Sequence, residues 1–203
     1  ENKIINCLNK INLCFLFAPN FHPILKNVAE IRKKIGKRTI FNILGPLLSP
    51  VECKKQIMGV YDINILMKVA EVLKKLETEH AWVVSGNKEY DELTTTGKNY
   101  IIEIKNKKIK ELEIDSTLFG IQKSNKKDLI GGDSKKNAEI IKGILKGEIS
   151  GPKKDIVMLN SASALYINNK VKDIESGLEI VNKTILSGDG FKKLNDLIEL
   201  SNS

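Results

Sequence analysis

Apolar and polar positions alternate along this chain with two different periods, and the period identifies most elements. Within NKIINCLNKIN (residues 2–12), Ile4, Ile5, Leu8 and Ile11 recur at helical spacing, which predicts an amphipathic helix. CFLFA (14–18) reads as a short buried strand stopped at Pro19. Pro23 suits the first turn of a further helix, with Ile24, Val28 and Ile31 along one side until Gly36. TIFNILGPLLSP (39–50) is mostly apolar and closes on Gly45-Pro46 and Ser49-Pro50, so it is either a short helix or a buried loop with hard stops. QIMGVY then predicts a strand, and NILMKVAEVLKKLE an amphipathic helix with Ile65, Val69, Val72 and Leu76 inward. AWVVSG predicts a second short apolar strand. Strand, helix and strand at this spacing make a βαβ unit, and hence a parallel pair.

The second half changes period again. NYIIEI and IKELEI predict two strands joined by the turn KNKK, whose charges project into solvent. LIGGDSKKNAEIIKGILKGE opens on a glycine pair and an Asp133 or Ser134 cap, then runs as a helix to Gly147. KKDIVMLNSASALYINN is apolar nearly all round, the mark of a buried helix. Two amphipathic helices near 173–186 and 190–201 complete the chain. No repeat, low-complexity segment or long linker interrupts it. The class expected is α/β: a central mixed sheet flanked by helices, with a helical C-terminus.

Composition narrows the function. The 203 residues suffice for one substantial domain, and 41% hydrophobic residues suffice for its core. A net charge of +8 raises the question of nucleic acid, but the lysines are strewn over presumed helix faces and aromatics are only 5%. Without aromatic interleaving or a binding motif, the charge fits an anionic small substrate and not nucleic acid. Cys7, Cys14 and Cys53 show no CxxC and no nearby histidine pair, so reduced thiols of a cytoplasmic protein are expected. No run of 18 apolar residues and no signal-peptide pattern points to a membrane or to export. The chain starts at Glu1, without a methionine and inside a helical pattern, as a fragment of something longer would.

Three stretches carry more polarity than packing requires. FAPNFHPILKNVAEIR holds His22 in a proline-flanked loop and Arg32 at the far end of a helix. On the residues alone, neither signals a site: His22 reads as a turn histidine bonded to backbone, and Arg32 as a solvated cation favoured by the helix dipole. RTIFNILGPL sets Arg38, Asn42 and Gly45-Pro46 into an apolar segment, as a contact surface or as a plain turn. YDELTTTG (90–97) places Asp91 and Glu92 ahead of three threonines and a glycine, between two strands. Such a loop is either an ordinary acidic turn or a site for Mg²⁺, which takes one or two carboxylates and completes its octahedron with water and phosphate oxygens.

The run FLFAPNFHPILKNVAEIRKKIGKRTIFNILGPLLSP strongly resembles the signature of the anthranilate phosphoribosyltransferases. DELTTTG, LIGGDSKKNAEIIKGIL and KDIVMLNSASALY match later blocks of that family in the same order, so the resemblance covers essentially the whole chain. It implies a nucleoside phosphorylase/phosphoribosyltransferase-type α/β domain over 1–203, with residues 22–48 contributing helices towards an N-terminal helical domain. The activity implied joins anthranilate to C1 of 5-phosphoribosyl diphosphate (PRPP) and releases pyrophosphate, in tryptophan biosynthesis, with Mg²⁺ as cofactor. The family's homodimer is implied with it. By the same resemblance, His22 and Arg32 contact anthranilate, Arg32 being the main partner of its carboxylate. Pro46 forms an apolar wall of that site, and Asp91 with Glu92 holds Mg²⁺ on the diphosphate. No catalytic nucleophile is implied, and none is evident: no Ser-His-Asp or Cys-His set stands out.

The departures bear on activity. The family's glycine-rich PRPP loop and its Lys-His-Gly-Asn segment lie N-terminal to anything present here, as does most of its helical domain. Ser49 stands where asparagine is common. The isolated chain is therefore expected to be inactive. Two other readings remain at this point: a non-catalytic remnant that binds a carboxylate ligand or a partner, and a pyrimidine nucleoside phosphorylase relative sharing the fold.

Overall fold

The computed structural model of the chain describes residues 2–22, 34–37 and 39–202. These fall into two units, one of residues 1–52 with 192–203 and one of residues 53–191.

The larger unit is built on a four-stranded sheet in the order β1-β2-β3-β4, comprising Lys55–Gly59, His80–Gly86, Lys98–Lys105 and Lys108–Asp115. β1 and β2 are parallel, with Ile57 opposite Trp82, and the other two pairings are antiparallel. The mixed sheet expected from the pattern is thus the one found. All seven residues of β2 are buried, as befits a strand with neighbours on both sides. The β3–β4 hairpin closes through Asn106 and Lys107 at φ of 50° and 64°, the left-handed pair that a two-residue hairpin turn requires.

The crossover between β1 and β2 is the helix Leu66–Lys75, which packs on β2 and β3. Its buried side chains are Leu66, Val69, Ala70 and Leu73, while Val72 is 39% and Leu76 52% exposed. Of the inward set expected from sequence, Val69 is buried and Ile65 half-buried, and the other two are turned out. The helix has apolar residues on more than one side, and packing on the sheet selects the stripe.

The helices Ser134–Leu145, Pro152–Ile167 and Ile174–Leu186 come next in the chain. Asp133 caps the first by accepting from the Lys136 N–H at 2.8 Å. The second begins with proline at its first position, after Gly151 at φ 77°. Leu159, Ala162 and Ile167 from it join Trp82, Val84 and Ile101 of the sheet and Ile174, Val181 and Ile185 of the next helix in one core. A side chain at Gly177 would meet the Ala162 Cβ at 2.9 Å, so the two helices touch backbone to backbone there.

The smaller unit contains the helices Asn2–Ile11, Ala18–Phe21 and Phe41–Leu47 and the end of Asp189–Asn202. Lys193 Nζ donates to the Ile11 carbonyl at 3.1 Å. The first helix buries Cys7 and Ile11, whereas Ile5 and Leu8 are 54% and 42% exposed, which corrects the inward face read from sequence. The buried strand expected at 14–18 is not formed: residues 13–17 have no regular structure, and Phe15 and Phe17 are 72% and 53% exposed. An apolar run becomes a strand only where another strand offers it a ladder, and the described sheet does not extend to it. Phe41–Leu47 settles the choice at 39–50 in favour of a helix, with no fully buried residue and Pro46 inside it. The helix expected from Pro23 lies outside the described residues, save for Lys34 and Ile35, which are helical, and its stop at Gly36, which has φ 62°.

Candidate functional site

β1 and β2 run parallel, so their carboxyl ends lie on the same side of the sheet, where open α/β sheets hold ligands. The segment 87–97 crosses that edge from β2 to β3, and its middle is Asp91-Glu92. Each strand under the crossing ends in glycine, and both glycines are there for the loop. An added Cβ at Gly59 would lie 1.5 Å from the Asp91 carbonyl oxygen. One at Gly86 would lie 2.3 Å from the Glu92 carbonyl oxygen. The backbone under each carboxylate therefore sits on a strand terminus with no room for any side chain.

Two asparagines fasten Leu93 and Thr94, the residues just after the carboxylates. The Asn160 Oδ1 accepts from the Leu93 N–H at 3.1 Å, and its Nδ2 donates to the Leu93 carbonyl at 2.8 Å and to the Ile156 carbonyl at 2.9 Å. The Asn99 Oδ1 accepts from the Thr94 N–H at 2.7 Å, and its Nδ2 donates to the Thr94 carbonyl at 3.0 Å. The threonines serve the loop itself. Thr94 and Thr95 are wholly buried. Thr95 Oγ1 lies 2.6 Å from Ser124 Oγ, and the Thr96 N–H donates to Thr94 Oγ1 at 3.2 Å. The polarity of YDELTTTG thus divides in two: hydroxyls turned inward to shape the loop, and carboxylates left at its crest.

Asp91 is exposed. Glu92 keeps much of its surface open but also lines a cavity of about 310 Å³ with Tyr90, Ile140, Ile144, Lys153 and Ile156. Partial burial, and then the neighbouring Asp91 charge, raise its pKa above the ordinary carboxylate value. Two repelling carboxylates on a pinned loop gain from a cation between them. Among the described residues no cluster of three or more His, Cys, Asp or Glu side chains could hold a metal. Two adjacent carboxylates are a donor set that could hold Mg²⁺ together with water and substrate oxygens.

The other residues singled out by sequence lie in the smaller unit. His22 is half-buried and comes directly after Ala18–Phe21. Pro46 is exposed within Phe41–Leu47, and Asn42 of that helix accepts from the Thr39 N–H at 3.0 Å. Arg32 and Arg38 lie outside the described residues. Sequence reasoning passed over Gly59, Gly86, Asn99 and Asn160. The available signals were a glycine within each predicted parallel strand and one amide in the middle of a helix read as buried.

The model of the glycosyl transferase family, a/b domain, matches residues 1–191. Curated anthranilate phosphoribosyltransferases are similar along the chain. That of Clostridium kluyveri is 43% identical over 202 residues, covering 100% of this chain and 60% of its own length. That of a Thermoanaerobacter species is 48% identical over 185 residues, covering 91% and 54% respectively. Two solved structures share the fold. The anthranilate phosphoribosyltransferase of Thermus thermophilus has a TM-score of 0.90 at 28% identity, over 99% of this chain and 59% of that one. The Saccharomyces cerevisiae enzyme in complex with PRPP and Mg has 0.91 at 26%, over 100% and 58%. The chain spans about 60% of the length of the curated relatives it matches. With its mixed sheet, its pinned acidic loop and this agreement over 191 of its 203 residues, the chain belongs to the glycosyl transferase family and carries that family's α/β domain.

Proposed function

We propose that this chain is part of an anthranilate phosphoribosyltransferase, which joins anthranilate to C1 of PRPP and releases pyrophosphate in tryptophan biosynthesis. The observation that carries the proposal is the two-carboxylate loop pinned at the carboxyl ends of parallel β1 and β2. Asp91 and Glu92 are the residues that would hold Mg²⁺, and the ion would supply charge neutralisation for the diphosphate leaving group. Arg32 pairs with the anthranilate carboxylate, a planar fork meeting a planar anion. His22 contacts the same substrate, and Pro46 offers it an apolar wall. None of these groups forms a covalent bond: they bind, orient and stabilise charge.

The relatives support this reading, since the yeast enzyme has been solved both with 4-fluoroanthranilate and with PRPP and Mg. In the same reading the whole protein is a cytoplasmic homodimer, and residues 22–48 contribute helices towards a helical domain. No helix among the described residues is long and apolar enough to cross a membrane.

The test is the double variant Asp91→Asn with Glu92→Gln in a protein of the relatives' full length. It is expected to fold normally and to lose Mg²⁺-dependent use of PRPP. Normal turnover at ordinary Mg²⁺ would remove the metal assignment.

A further inference from the structure

Asn160 is set apart by its surroundings. It projects from Pro152–Ile167, a helix whose Leu159, Ala162 and Ile167 pack into the apolar core, and reaches a loop 67 residues away in sequence. A carboxamide is a donor and an acceptor held in one plane, as a peptide group is. Here it saturates both polar groups of Leu93, the residue directly after Glu92, and a third bond to Ile156 of its own helix fixes the amide's rotation. The Leu93 side chain is wholly buried in the core, which resists the remaining motion. The carboxylates thus stand on three fixed points: Gly59 against the Asp91 carbonyl, Gly86 against the Glu92 carbonyl, and Asn160 on both sides of Leu93. Only the third is a side chain that can be exchanged without forcing new atoms into the backbone.

We propose that Asn160 is a positioning residue that holds Asp91 and Glu92 in the geometry that binds a divalent cation. The proposal rests on the reading of Asp91 and Glu92 as Mg²⁺ ligands. Residues that orient metal ligands typically contribute 10- to 100-fold in metal affinity on mutation, although they never touch the ion. A plain packing role would instead lower stability and leave cation binding unchanged.

The experiment uses Mn²⁺, which favours the same carboxylate and water ligands as Mg²⁺ and can be followed by electron paramagnetic resonance. The 203-residue chain is titrated, with inorganic pyrophosphate present to supply the phosphate oxygens of the site, alongside Asn160→Leu, Asn160→Asp and the pair Asp91→Asn with Glu92→Gln. The chain is expected to bind Mn²⁺ and the paired variant to lose that binding. Asn160→Leu is expected to weaken it about tenfold or more, with faster exchange of the Leu93 amide hydrogen. Asn160→Asp keeps the acceptor for the Leu93 N–H and loses the donor to its carbonyl. It is nearly isosteric, so it reports even if the leucine variant fails to fold, and an intermediate loss is expected. Unchanged Mn²⁺ affinity in a folded Asn160 variant overturns the positioning role and leaves the metal reading standing. Equal Mn²⁺ binding by the chain and the paired variant overturns the metal reading, and the role of Asn160 with it.

Discussion

Under the proposed function, single substitutions at Arg32 and at Gly59 are expected to have sharp consequences, for opposite reasons. In a protein of the relatives' full length, the role proposed for Arg32 predicts that Arg32→Ala removes one member of a charge-assisted pair, an expected loss of about 2–5 kcal/mol. That is roughly 30- to 5,000-fold, at about 1.4 kcal/mol per tenfold. Steady-state kinetics should place the loss on anthranilate, with PRPP little affected. Arg32→Lys should restore only part, because an ammonium cannot offer two parallel hydrogen bonds. At Gly59 the group that matters is the missing one. Gly59→Ala places a methyl 1.5 Å from a carbonyl oxygen, so β1 or the acidic loop must move. Urea unfolding should show a loss of about 1–3 kcal/mol, the usual cost of overpacking. An unchanged midpoint would mean that the loop yields freely.

Among the elements, the sheet carries an ionisable cluster at the end away from the acidic loop. Glu103 of β3 lies 3.0 Å from His80 Nε2 and accepts from the Trp82 indole N–H at 3.0 Å and from the Tyr166 hydroxyl at 3.4 Å. Burial alone would raise its pKa, but the bonds with His80 and Trp82 outweigh it and hold the carboxyl below its ordinary value. A depressed folded pKa contributes stability above the unfolded value, and that contribution is lost as pH falls through the folded one. Glu103→Gln should therefore cost about 1–3 kcal/mol at neutral pH. The gap to the parent should shrink below about pH 4, near the ordinary carboxylate value. Urea titrations at two pH values check this, and a gap that is constant with pH would contradict it. These elements were largely legible in sequence. Alternation and turn residues gave the βαβ unit, the hairpin and the helices of the second half. Which stripe faces inward was not legible where apolar residues cover more than one side, as in Leu66–Lys75. The acidic loop could be recognised from its residues, but its fastening could not, because Asn160 becomes its neighbour only through tertiary packing.

On the scale of the molecule, the smaller unit leaves Phe15, Phe17, Ile40 and Leu48 more than half exposed. Apolar surface of that kind favours association. Light scattering of the 203-residue chain should show a mass that grows with concentration, and a clean monomer at high concentration would count against this. The glycines under the acidic loop have a consequence of another kind, for how such a chain can diverge. Positions 59 and 86 shape the site by what they lack, and positions 91 and 92 by what they bear. A library of substitutions should therefore split cleanly. At 59 and 86 every exchange, however small or conservative, should reduce the amount of folded protein. At 91 and 92 most exchanges should fold and only chemistry should be lost. Descent with changed activity is open at the crest of the loop and closed at its footings, so drift in function can proceed there without drift in shape.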